Sequence, residues 1–173
     1  MKRAIIPATL LLWSGLAQAQ KGSVPAFRLF VEDLPNGVSI PVRFTCDASG
    51  GGVSPALRWL GEPSGTQSFA LIMDDPDARD FVHWLLWDIP PSVHSLNEGA
   101  TSDGIPGTNS FGERGYGGPC PPQGGGSHTY VFRLFALDVP SVGNNAGKGR
   151  GALEQAMRKH VLAKAEYRLR YGH

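Results

Sequence analysis

Three aspartates, Asp74, Asp75 and Asp77, fall within four positions of "MDDPDARDFVHWLLW" (residues 73–87), and His83 follows inside an otherwise apolar run. Further along, "SHTYVF" sets His128 and Tyr130 two apart, so an extended strand presents both on one face. Carboxylates repel an anion, so Asp75 and Asp77 suit the role of partners that fix histidine tautomers and raise histidine pKa values. His83 and His128 then offer N–H donors and Tyr130 a hydroxyl to a bound anion, while an ammonium carried by the same ligand satisfies an aspartate. Taken singly, each residue has a plainer account. A lone histidine in an apolar strand is usually a satisfied core residue, and Asp-Pro-Asp is usually an ordinary turn. The convergence of several is the signal.

These residues need strands to bring them together. The chain has 23 glycines and 14 prolines, which fall between short runs rich in Val, Phe, Leu, Ile, Tyr and Trp. That punctuation predicts strands over 26–31, 43–45, 57–59, 68–74, 81–89 and 129–136. The 81–89 run is apolar on both faces and reads as a central strand. If 68–74 and 81–89 lie side by side, the acids and His83 meet at one end of the sheet. Helical period appears near the C-terminus, where Leu153, Ala156, Met157, His160, Val161 and Lys164 share an i, i+3, i+4 stripe. This predicts an amphipathic helix packed on the sheet, with His160 at its edge. The stretch 96–123, dense in Gly, Ser, Asn and Pro, is the longest irregular region and reads as a functional loop.

The 173 residues begin Met1-Lys2-Arg3, continue through an uncharged run from Ala4 to Ala17 and reach a small-x-small sequence, Ala17-Gln18-Ala19. This is the plan of a secretory signal peptide over 1–19, its apolar run shorter than the roughly 20 residues of a membrane span. The remainder, 20–173, has the length of one domain and no composition break. The expectation is an exported protein, periplasmic or secreted, with no stable membrane insertion. The near-balance of 16 basic and 15 acidic residues gives no footprint for nucleic acid. Cys46 and Cys120 allow one disulfide, and two separately buried thiols are equally compatible with the sequence.

Several stretches together resemble the phosphatidylethanolamine-binding protein family, in its bacterial Raf kinase inhibitor-like branch. They are "SPALRW" (54–59), "SFALIMDDPDARDFVHWLLWDIP" (68–90), "LNEG" (96–99), "GTNSFGERGYGGPCPPQGGGSHTYVFRLFALD" (107–138) and "ALEQAMRKHVLAKAEY" (152–167). The resemblance implies a mainly β fold: a large central β-sheet with a smaller sheet on one face and a C-terminal helix on the other. It implies a small pocket for phosphate, acetate or a phosphorylated head group, formed by Asp75, Asp77, His83, His128 and Tyr130. The Gly118 to Pro122 turn, with Gly118 and Pro119 as ligand contacts, forms one wall. The family pattern usually has proline after DPDA. Here Arg79 stands in its place, at the pocket rim.

Two functional readings follow. The first is a binding protein without catalytic residues, cofactor or metal, which takes a small phosphorylated or anionic ligand and inhibits a partner kinase or protease. The alternative is a metal-dependent or Asp/His hydrolase acting on a phosphorylated small molecule, with Asp75, Asp77, His83 and His128 of types that suit zinc or manganese. No Gly-x-Ser-x-Gly elbow supports a serine hydrolase. A lipid carrier is a minor third reading, since no spare amphipathic face is evident.

Overall fold

The computed structural model describes residues 26–49, 52–143 and 149–173. The segment 1–19, expected to be a signal peptide, lies outside them. Eight strands and one helix follow in chain order: β1 (Arg28–Val31), β2 (Leu57–Leu60), β3 (Ser68–Asp75), β4 (Phe81–Ile89), β5 (Ser95–Leu96), β6 (Ile105–Pro106), β7 (His128–Leu137), α1 (Arg150–Met157) and β8 (Val161–Tyr171). The larger sheet runs β6-β4-β3-β7-β8 and the smaller β1-β2-β5, with every named pair antiparallel.

Period-two alternation explains the layers. Along β3, Phe69, Leu71 and Met73 enter the core shared with the small sheet, while Ala70 and Ile72 enter the core shared with α1. Every residue of β3 is buried, as expected of a central strand covered on both faces. In β4, Trp84, Leu86 and Ile89 point to the first core, and Val82, Leu85 and Trp87 to the second. Leu153 and Met157 of α1 close the second core. Each such side chain, fully buried, contributes about 1.5–3 kcal/mol. The large sheet, the small sheet on one face and the helix on the other are therefore as expected.

Two element assignments are corrected. Residues 43–45 are not a strand: Val42–Phe44 form a 3₁₀ turn entered from Pro41. The predicted helix is only half helix. It ends at Met157, and the following residues form β8, so α1 is the penultimate element and not the last one. From Ala163 onward the alternate residues Ala163, Ala165, Tyr167, Leu169 and Tyr171 pack on the first core. That stripe, together with pairing along the whole of β7, overrides the helical propensity of the Ala, Lys and Glu between them. His160 accordingly sits in the turn between α1 and β8, where its Nδ1 lies 2.9 Å from Asp138.

Candidate functional site

The site begins where β3 runs out. Asp75, only 2 % exposed, caps the short 3₁₀ turn Pro76–Ala78: its Oδ1 accepts the backbone N–H groups of Asp77 (2.9 Å) and Ala78 (3.2 Å). Its Oδ2 accepts His128 Nδ1–H at 2.6 Å. Asp77 is exposed, and its Oδ2 accepts the N–H of Thr129 at 2.7 Å, fastening the turn to β7. Both carboxylates are thus occupied with protein donors and act as orienting groups. Asp74 does not join them. Alternation sends it to the helix side, fully buried between Arg133 and Arg150.

His83 reaches the site through a bulge. Met73 pairs with Trp84 and Asp74 with Val82, so His83 has no opposite number in β3. A residue left over in this way re-aims its side chain, and here both His83 and Trp84 turn toward the first core. The buried imidazole contacts three rings, with centroids at 5.2 Å (Phe81), 5.5 Å (Phe111) and 5.1 Å (Tyr130). Its Nδ1 lies 2.8 Å from the Gly117 carbonyl, which can only accept, so Nδ1 carries the proton. Burial pulls the His83 pKa below its ordinary value, against the opposing pull of the Gly117 carbonyl and the Asp75 charge. The aspartates do pull it upward as expected, but burial outweighs them, and the direct carboxylate contact goes to His128.

A cavity of about 210 Å³ opens between these elements, lined by Asp75, Ala78, Phe81, His83, Phe111 and His128, with Cys120, Pro121 and Pro122 as the remaining wall. Tyr130 lies beneath it. Among the described residues its buried hydroxyl has no hydrogen-bond partner in bonding geometry, and burial together with the nearby Asp75 charge keeps the phenol protonated. Gly118 and Pro119, expected as ligand contacts, instead fasten the wall from behind. A Cβ on Gly118 would meet the Thr45 carbonyl carbon at 2.7 Å, so only glycine allows that approach. The Pro119 carbonyl accepts Cys46 N–H at 3.1 Å, and Cys46 and Cys120 form a disulfide with Cα atoms 5.4 Å apart. Arg79 takes a left-handed conformation (φ 56°) at the end of the 3₁₀ turn, exposed and outside the cavity lining.

Sequence reasoning missed Phe111 and the device that places it. Asn109, nearly buried, accepts the N–H groups of Phe111 (3.0 Å) and Glu113 (3.1 Å) through Oδ1 and donates to the Gly115 carbonyl (3.2 Å). An asparagine folding its own loop is legible as a motif, but not which ring it delivers to which site. Among the described residues no group of three or more His, Cys, Asp or Glu is arranged to hold a metal.

Residues 31–172 match the family model described as phosphatidylethanolamine-binding protein. A UPF0098 protein of Aquifex aeolicus is 45% identical over 144 residues, covering 79% of this chain and 83% of the relative. The crystal structure of Escherichia coli YbcL, described as a member of the mammalian PEBP family, superposes with a TM-score of 0.79 at 28% identity, covering 86% of this chain and 99% of that one. A Mycobacterium tuberculosis relative named as a candidate lipoprotein is 44% identical over 109 residues, 60% of this chain and 52% of its own.

Proposed function

Since the chain belongs to the phosphatidylethanolamine-binding protein family, we propose that it is an exported binding protein whose His83–His128 cavity takes a phosphate or other small anionic group. One observation carries this reading. Both histidines commit Nδ1 to the protein, to the Gly117 carbonyl and to Asp75, which leaves Nε2 of each as the ring nitrogen available within the cavity both line. When an imidazole takes up its second proton, that Nε2 becomes a charged donor, and the Tyr130 hydroxyl adds a neutral one. The cavity holds no nucleophile aligned with a base, so binding suits it better than turnover. Its size suits a head group or a phosphorylated side chain presented by a partner enzyme. Export is supported by the signal-like segment and by the lipoprotein name of one relative, and no helix among the described residues is long and apolar enough to cross a membrane.

The test is an NMR titration of the domain with inorganic phosphate, phosphoethanolamine and phosphoserine, following the His83, His128 and Tyr130 resonances. Saturable shifts at all three are expected, with affinity reduced roughly ten- to hundredfold in His83→Ala, the loss of one charge-assisted hydrogen bond. Unchanged spectra, or equal affinity in the variant, would reject the anion reading.

A further inference from the structure

A second cavity, of about 310 Å³, has Trp84, the neighbour of His83, in its lining and opens between the edge of the large sheet and the loops that flank the small one. Leu86, Pro106, Ala100 and Trp84 give it an apolar lining, and its polar side chains include Ser54, Thr101, Arg114 and Tyr116. Ser54 is 2 % exposed, and its hydroxyl has no hydrogen-bond partner among the described residues. A hydroxyl buried in this state is costly and rare in a folded protein. Arg114 enters no ion pair among the described residues, and its guanidinium donates only to the Pro106 carbonyl, at 3.3 Å. Among the described residues it is the one charged residue in the lining.

We propose that this cleft is a second ligand site, for a small carboxylic acid with an apolar body of one ring or a short chain. The volume lies at the lower end of small-molecule sites, which sets the size of the body. The unopposed guanidinium sets the sign of the head group, and its planar fork matches a carboxylate. The Ser54 hydroxyl supplies a further donor. The site does not depend on His83 or on the anion cavity. The two are neighbours nonetheless: the segment that carries Arg114 continues to Gly117, whose N–H and carbonyl both bond to His83, each at 2.8 Å. The Asn109 clasp shapes the loop and so makes Asn109 a positioning residue for Arg114.

The probe is 3-phenylpropionate, with 3-phenylpropanol as its uncharged counterpart, titrated into the folded domain while the Trp84 indole resonance is followed. Saturable shifts at Trp84 are expected with the acid. The affinity should drop about ten- to hundredfold in Arg114→Gln and vanish in Ala100→Phe, which fills the cleft. Equal binding of the alcohol, or equal affinity in Arg114→Gln, would overturn the carboxylate assignment. An absence of shifts at Trp84 up to millimolar probe, or shifts confined to His83 and His128, would overturn the site. Retention of the native spectrum in Arg114→Gln guards against an effect of unfolding.

Discussion

Replacing Asp75 by asparagine isolates the role assigned to the buried acids. The amide keeps Oδ1 and with it the two bonds that cap the 3₁₀ turn, to Asp77 N–H at 2.9 Å and Ala78 N–H at 3.2 Å. What changes is the second oxygen, which accepts His128 Nδ1–H at 2.6 Å and becomes an NH₂ group facing another donor. A hydrogen bond to a charged group contributes about 1.5–3 kcal/mol net, and in a domain of this size each kcal/mol moves Tm by about 2–4 °C. Asp75→Asn should therefore unfold roughly 4–10 °C below the wild type. Asp75→Ala, which also loses the cap, should cost about 1 kcal/mol more. In ¹⁵N spectra of the imidazoles, His128 should exchange its Nδ1–H tautomer for the Nε2–H form, because Nδ1 now faces a donor. An Asp75→Asn protein that melts with the wild type and keeps the His128 tautomer would refute the claim that this carboxylate orients the imidazole.

Other outcomes follow from the same geometry. The Cys46–Cys120 bridge closes a separation of 74 residues, so replacing both cysteines by serine should cost about 4 kcal/mol in the chain-entropy model, read as a Tm lower by roughly 10 °C in non-reducing thermal melts. Burial holds the His83 pKa below the ordinary 6.5 or so. As pH falls, the unfolded chain therefore takes up this proton first, and stability declines from about pH 6.5 downward until the folded pKa is passed. Denaturant titrations from pH 7.5 to 5 should show this decline, and His83→Gln should remove its share of it. Phosphate should bind more tightly over the same descent, because it pairs with the imidazolium. Asp74→Asn should cost about 3–5 kcal/mol in equilibrium unfolding, since it leaves Arg133 and Arg150 without their shared buried carboxylate.

How much of this was legible beforehand depends on which interactions decide each element. The strands β3, β4 and β7 are apolar runs rich in β-branched or aromatic residues and bounded by turn residues, so local pattern was enough to place them and, with them, Asp75, His83 and His128. The region after Met157 was misread because Ala, Lys and Glu satisfy a helical stripe as readily as they fill the outer face of a strand. Only the long pairing with β7, a contact between distant segments, separates the two. The short strands β5 and β6 lie within or against a loop-like composition and exist through their partners β2 and β4. At the site, residue types were readable but contact order was not. Which acid meets which histidine follows from the β3–β7 register and the bulge at His83, and neither leaves a mark in composition.

That register also explains why the site tolerates so polar an end to so apolar a strand. Met73, Asp74 and Asp75 face the first core, the helix side and the cavity in turn, so a slip of one residue would put Asp75 among the arginines and Asp74 beneath the histidines. The Arg133–Asp74–Arg150 group makes that slip costly, because α1 and β7 both hold Asp74 on its own side. The cavity therefore has two halves of different character. One half, Asp75, His83 and His128, is fixed by sheet register. The other, Cys120 to Pro122, is strapped to the Thr45 turn by the disulfide and the close approach at Gly118. Neither half rests on a long unsupported loop, so on the proposed reading little reorganisation would accompany binding, and binding energy would not be spent on ordering the walls. On that reading discrimination among ligands would fall to the exposed rim, where Phe111, 47% exposed, rests on His83 and Phe81.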